Sequence, residues 1–223
     1  MSSRPKLKLD WCSHEAAKYA VEHWHYSRCL PRFKQLWIGV WEGGAFIGIV
    51  SFGQSSTPYL GDAYGLTCVE CAELTRVALA RHVSPVSRII SIAVRMVKKQ
   101  SPGIRLLVSL ADPAHGHIGA IYQAGNWVYI GVSSMMTQFY FRGKWRNDSS
   151  LMRYLQVNPH MKETLKRRRV AGKHKYLMPL DKEMRERIEP LRKPYPKRAG
   201  SIDSDATSDQ DGKGGASPTS ALQ

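Results

Sequence analysis

Apolar and polar positions along the chain repeat with two periods. Between Ser13 and Trp24 the residues Ala16, Ala17, Ala20, Val21 and Trp24 recur at helical spacing. Ser13 stands where an N-cap belongs, and Pro31 bars continuation. From Gln35 to Phe52 two aromatic and β-branched runs flank Gly43-Gly44, which predicts an antiparallel hairpin. Ser55 to Cys71, rich in Gly, Ser and Thr, reads as a long loop near a site. Glu73 to Leu79 reads as a strand. Ser84-Pro85 then predicts a helix with Ser84 as N-cap, Pro85 in its first turn, and Val86, Ile89, Ile90, Ala93 and Val97 as the buried stripe.

The segment Leu106 to Gly131 carries the most information. Leu106, Leu107 and Val108 read as a buried strand closed by Asp112. Ile118, Ile121 and Tyr122 follow at helical spacing, with Gly125 as a stop. Trp127 to Phe141 predicts a final strand pair. The whole reads as an α/β fold with a central mixed sheet flanked by helices.

Charge divides the remainder. The chain has 33 Lys and Arg against 18 Asp and Glu, a net +15 that favours a polyanionic partner. Residues 142–198 hold 18 Lys and Arg against 6 Asp and Glu and form a basic C-terminal extension, while Ala199 to Gln223 turns acidic and is expected to be disordered. The organisation expected is therefore a core over 1–141, an extension over 142–198 that completes the domain and contacts DNA, and a tail over 199–223. No apolar run reaches the length of a membrane span, and the basic start lacks the apolar core of a signal peptide, so a cytoplasmic location is expected. Cys12, Cys29, Cys68 and Cys71 are most simply free thiols, the lone CxxC at Cys68 and Cys71 lacking a second pair.

Four separated stretches, HWHYSRCLP at 23–31, AELTRVAL at 72–79, the segment at 106–131 and GKHKYLMPLD at 172–181, together resemble the Mom family of phage DNA-modification proteins, over about Leu9 to Pro196. The order of strand, Asp, helical Tyr, Gly and aromatic also resembles the last βαβ unit of the GNAT acyltransferase fold. The resemblance implies a GNAT-like enzyme of a bacterial host cell that converts adenine in double-stranded DNA to N6-carbamoylmethyladenine and so shields it from restriction. Two other classes stay open: an ordinary GNAT N-acyltransferase acting on a protein or small amine, and a noncatalytic DNA-binding protein on a GNAT-like scaffold.

The candidate residues follow. His25 and Tyr26 sit where the first helix should end and match the family's His-Tyr. Asp112 and Tyr122 match its aspartate and tyrosine, although Asp112 before Pro113 also suits a helix N-cap, and Tyr122 a packed core position. His115 and His117 flank the same turn. Glu73 and Arg76, three apart on a strand, are expected on opposite faces, with Arg76 matching the family motif and available to a phosphate. The amides after Ser84, with Ser87 and Arg88, stand where a GNAT protein holds acyl-coenzyme A. Yet Arg81-His82-Val83-Ser84-Pro85-Val86 replaces both glycines of the usual signature, and Pro85 removes an amide donor. Arg167, Arg168, Arg169, Lys173 and Lys175 are the candidate DNA-phosphate contacts. Trp24, Tyr26 and Trp127 are candidates to stack an extruded base. The donor is left open between an acyl-coenzyme A-like group and another activated donor. Iron is allowed by the resemblance, but no ligand set is identified.

Overall fold

The computed structural model describes residues 5–54, 59–147 and 149–197. The expected acidic tail at 199–223 lies outside them. Strand β1 (Leu7–Trp11) leads into helix α1 (His14–Trp24), whose cap Ser13 accepts the Ala16 amide at 3.2 Å. Ala17, Ala20 and Val21 bury its apolar stripe with Ile49 and Ala78. Strands β2 (Gln35–Glu42) and β3 (Ala45–Gly53) form the expected hairpin. Gly43 and Gly44 turn it with φ of +59° and +88°, the left-handed values a tight hairpin turn needs.

Then follow β4 (Cys71–Leu79), α2 (Val86–Gln100), β5 (Leu106–Ala111), α3 (Ala120–Gln123) and β6 (Val128–Val132). Helix α2 buries Ile89, Ile90, Ala93 and Val97 as its spacing requires, each large aliphatic contributing about 1.5–3 kcal/mol. The chain continues through β7 (Met136–Phe141), β8 (Lys144–Arg146), α4 (Ser149–Val157), α5 (Pro159–Thr164), β9 (Arg167–Val170), β10 (His174–Pro179) and α6 (Lys182–Ile188).

The seven-stranded sheet runs β1-β2-β3-β4-β5-β10-β6, with β4 and β5 parallel and every other pair antiparallel. The core against α2 and α3 includes Val50, Phe52, Leu107 and Tyr122, and a second layer joins Leu106, Val108 and Leu177 to Met184 and Ile188 of α6. The architecture is thus the α/β one expected, a mixed sheet flanked by helices.

Several local expectations change. The strand pair proposed over Trp127 to Phe141 does not form: β6 pairs with β10, and β7 joins a separate three-stranded sheet, β8-β7-β9. The basic stretch therefore supplies a central strand, β10, between β5 and β6. The helix expected through Ile118 shrinks to Ala120–Gln123, because Gly119, left-handed at φ +82°, stands at its N-cap and leaves Ile118 outside. A side chain at Gly119 would collide with the Tyr176 ring, its Cβ lying 2.3 Å from Cε2. The described part of the Ser55–Cys71 loop packs Tyr64 and Leu66 with Met184 and Ile188, on the α6 face of the sheet and away from the site described below.

One irregularity builds the site. β4 pairs with β5 only at Cys71, Ala72 and Glu73. Beyond Glu73 the two strands part. On its other side β4 carries a bulge, since Ser51 opposes Arg76 but Phe52 opposes Leu74. Thr75 is the extra residue. Its hydroxyl donates to Gln35 Oε1 at 2.6 Å and lies 2.8 Å from Ser51 Oγ.

Candidate active site

The parting of β4 and β5 opens a cavity of about 550 Å³, lined by Glu73 to Val77 of β4, Leu110 to Asp112 at the end of β5, residues 116–122, and the end of α1 from Trp24 to Tyr26. His25, Tyr26, Arg76, Asp112 and Tyr122, scattered in sequence, all line it. Glu73 and Arg76 do so together, against the expectation of opposite faces. Thr75 is the reason: one extra residue breaks the two-residue alternation between them.

His25 caps the C-terminus of α1, its amide bonded to the Val21 carbonyl at 3.2 Å. The Ser27 amide, which can only donate, points at His25 Nδ1 at 3.1 Å, so a neutral ring carries its proton on Nε2. Burial, with the charges of Arg76, His117 and His115 nearby, lowers the imidazole pKa to about 4. At neutral pH His25 is therefore an uncharged N–H donor. The loop after it is held by Arg76, whose Nε and Nη2 fork onto the Cys29 carbonyl at 3.1 and 3.0 Å while Nη1 donates to Thr75 O at 2.7 Å. Arg76, expected as a phosphate contact, here fastens the His25–Cys29 turn to β4. Tyr26 is 55% exposed and packs its ring against His25, His115 and His117, at centroid distances of 4.3, 4.5 and 5.6 Å.

Asp112 is the cap its sequence position suggests, and it also lines the cavity. Oδ1 accepts the Ala114 amide at 3.0 Å as the cap of a short 3₁₀ turn, while Oδ2 lies 3.4 Å from Lys173 Nζ and 3.7 Å from His115 Nδ1. Lys173, expected on a DNA-facing surface, is thus in the cavity. Its backbone is clamped from both sides: its amide donates to Ser133 Oγ and its carbonyl accepts the Ser133 amide, each at 2.9 Å. The preceding residue must be glycine, since a Cβ at Gly172 would stand 1.7 Å from the Ser133 carbonyl oxygen.

Tyr122 is nearly buried, and desolvation raises its hydroxyl pKa to about 12. It remains protonated through the physiological range. Its ring packs on Trp127 and Tyr176 at 5.4 and 5.2 Å. Tyr176, which sequence reasoning left within a basic run, donates to the Ile118 carbonyl and accepts from Gln123, fixing the turn that launches α3. Trp127 is 1% exposed and cannot stack an extruded base. Trp24 lines the cavity and Tyr26 is open to solvent, so both are accessible from it.

The turn before α2 departs from expectation. Ser84 is not the N-cap: helix α2 begins at Val86 and its cap position is Pro85, with no side-chain capping bond. The Val83 and Ser84 amides donate instead to Glu42 Oε2 and Oε1, both at 2.8 Å. A carboxylate of the chain itself thus holds the two amides just before the Pro85 cap, next to the first-turn amides of α2 where a coenzyme pyrophosphate was expected. Ser87 and Arg88 follow in the first turn of α2, outside the residues that line the cavity.

The remaining basic candidates separate. Arg167, Arg168 and Arg169 are exposed on β9. The antiparallel register of β7 and β9 places Arg168 opposite Gln138, which accepts from its Nε at 3.0 Å, with the guanidinium 4.5 Å from the Trp145 ring. Lys175 is half-buried, its ammonium 5.1 Å from the Tyr64 ring and its pKa lowered by desolvation. It does not share the arginines' surface, because β10 turns its side chain toward the α6 layer. Cys71 is buried, which raises its pKa to about 12 and keeps it a thiol. Among the described residues no group of three or more His, Cys, Asp or Glu is placed to hold a metal ion, so the iron allowed by resemblance has no ligand set among them. Among the same residues no helix is long and apolar enough to cross a membrane.

Comparison with known proteins gives three kinds of match. The family model of the Mom protein family matches residues 6–197. The methylcarbamoylase Mom of Escherichia phage Mu is 27% identical over 205 residues, covering 86% of this chain and 84% of that one. Among solved structures, a provisionally assigned acetyltransferase from Acinetobacter baylyi ADP1 matches with TM-score 0.48 and 11% identity, over 88% of this chain and 100% of that one. FeeM, an N-acyl amino acid synthase from uncultured soil microbes, matches with TM-score 0.47 and 12% identity, over 82% of this chain and 94% of that one.

Proposed function

The chain belongs to the Mom protein family, and from that premise we propose that it is a transferase that modifies the exocyclic amine of adenine in DNA, with N6-carbamoylmethyladenine as product. The observation that carries the proposal is the meeting of His25, Tyr26, Asp112 and Tyr122 around one cavity where β4 and β5 part. These are the residues the family resemblance singles out, and they come from three separate places in the sequence. The methylcarbamoylase name of the phage Mu relative supports the product.

Adenine N6 is a poor nucleophile because its lone pair is delocalised into the ring, and in a duplex it is stacked and paired. The target base therefore has to leave the helix. Tyr26, with His115 and His117 packed beside it, offers an exposed planar surface at the cavity for such a base. Asp112 is the carboxylate placed to orient the amine and take its proton, and Lys173 is the cation that offsets its charge. His25 Nε2–H and the protonated Tyr122 hydroxyl are neutral donors for oxygen on the incoming group. Product formation joins N6 to a methylene rather than to a carbonyl carbon, so the bond that breaks is the one between that methylene and the rest of the donor, which leaves with the electron pair, and acyl transfer alone does not account for it. The basic surface around β9 supplies contacts to the phosphate backbone.

Nucleoside mass spectrometry of DNA from bacteria expressing the chain tests the reading. A deoxyadenosine carrying a carbamoylmethyl group is expected. An adenine pool matching the empty-vector control, with the protein present in soluble form, overturns it.

A further inference from the structure

The amides at the start of a helix are the natural seat of a diphosphate, since they have no partner within the helix. The cavity reaches that seat, for His82 and Val86 are among its lining residues. In this chain Glu42 stands at the entrance to that seat, where its two carboxylate oxygens bridge the consecutive amides of Val83 and Ser84, just before the Pro85 cap, at 2.8 Å each. The delivery is rigid. Glu42 ends β2, paired with Leu7 of β1 on one side and with Ala45 of β3 on the other. The Ser84 hydroxyl and the Val83 amide hold the carboxyl below the usual carboxylate range, so it stays charged at neutral pH. Pro85, next in line, has no N–H to offer a competing anion.

We infer that Glu42 is a specificity-determining residue for the donor: it excludes a coenzyme diphosphate from the turn before α2, and the site takes a donor that places no diphosphate there. The inference rests on the proposed function only in giving the cavity a donor. A diphosphate entering this turn meets a fixed negative charge and finds its two amides occupied, so it must break both bonds before making its own.

Titration of the full-length protein with acetyl-coenzyme A, followed by calorimetry without DNA, tests the inference. The wild-type chain is expected to give no saturable binding. Glu42→Ala frees two amides and removes the repelling charge, and is expected to bind at least about tenfold more tightly, the worth of a hydrogen bond to a charged group. Glu42→Gln keeps the side-chain size and one acceptor oxygen, so it guards against a folding defect in the alanine variant and is expected to show a smaller gain. Saturable wild-type binding as tight as that of the variants overturns the inference, as does the absence of any gain in both folded variants. Because the readout needs no modified DNA, failure here is distinct from an unmodified adenine pool.

Discussion

Lys173 Nζ lies 3.4 Å from Asp112 Oδ2, inside the cavity and away from the arginines of β9. Under the proposed function this pair allows catalysis and DNA affinity to be tested separately. Lys173→Met is expected to reduce adenine modification by about 10²-fold, the scale of a positioned acid or base group, while duplex affinity changes little. Asp112→Asn is expected to do the same and keep the cap on the Ala114 amide, whereas Asp112→Ala also loses that cap and about 1 kcal/mol of stability. Quantitative nucleoside analysis beside anisotropy-based DNA binding measures both effects. A Lys173→Met variant that loses binding but keeps turnover returns the lysine to the DNA surface.

His25 titrates at about 4 in the folded chain, against an ordinary 6.5. Between those values the unfolded chain binds more protons at this position, so stability rises with pH across the window and is lost as pH falls through it. Thermal melts stepped down from neutral pH to about 4 are expected to show this decline, with a shallower slope in His25→Asn. Equal slopes in the two proteins would assign the acid sensitivity to other groups.

Tyr122 behaves in the opposite direction. Its folded value of about 12 lies above the ordinary 10, so the unfolded chain ionises first and stability falls as pH climbs through that interval. Tyr122→Phe removes only the hydroxyl. It is expected to flatten the alkaline loss of stability while lowering modification by about 10²-fold or more. Retention of full activity would leave Tyr122 a packing residue.

Arg168 stacks on Trp145 and bonds Gln138, whereas Lys175 sits over Tyr64. The two are therefore expected to differ in DNA binding. Arg168→Ala should flatten the slope of log affinity against log salt by about 0.9, one phosphate contact, and Lys175→Ala should leave it unchanged. Fluorescence anisotropy on one duplex across a salt series distinguishes them. A slope change in the Lys175 variant alone would move the DNA path to the α6 face.

Gly119 carries φ +82° and has no room for a Cβ beside the Tyr176 ring. Gly119→Ala is expected to cost roughly 1–3 kcal/mol and to displace the helix that bears Tyr122. Denaturant unfolding gives the stability, and modification is expected to fall with it. A neutral substitution would mean that the Tyr176 contact does not position α3.

Much of the fold was legible in the sequence where hydrogen bonds are local. The Ser13 cap, the Gly43-Gly44 turn and the Ile89, Ile90, Ala93 and Val97 stripe each depend on residues within a few positions, so spacing alone determines them. The cavity residues His25, Asp112 and Tyr122 were legible through motif order, because chemistry restricts residue type as strongly as packing does. Tertiary structure decided the rest. Strand β10 enters between β5 and β6, and its partners lie far away in the sequence, where alternation carries no information about register. Thr75 as an extra residue reverses which side of β4 Arg76 occupies, and no period of two can foresee it. Glu42 reaches Val83 and Ser84, and Lys173 reaches Asp112, only after the sheet is assembled. A charged side chain's partner is set by which strands become neighbours, and that is a property of the whole packed chain.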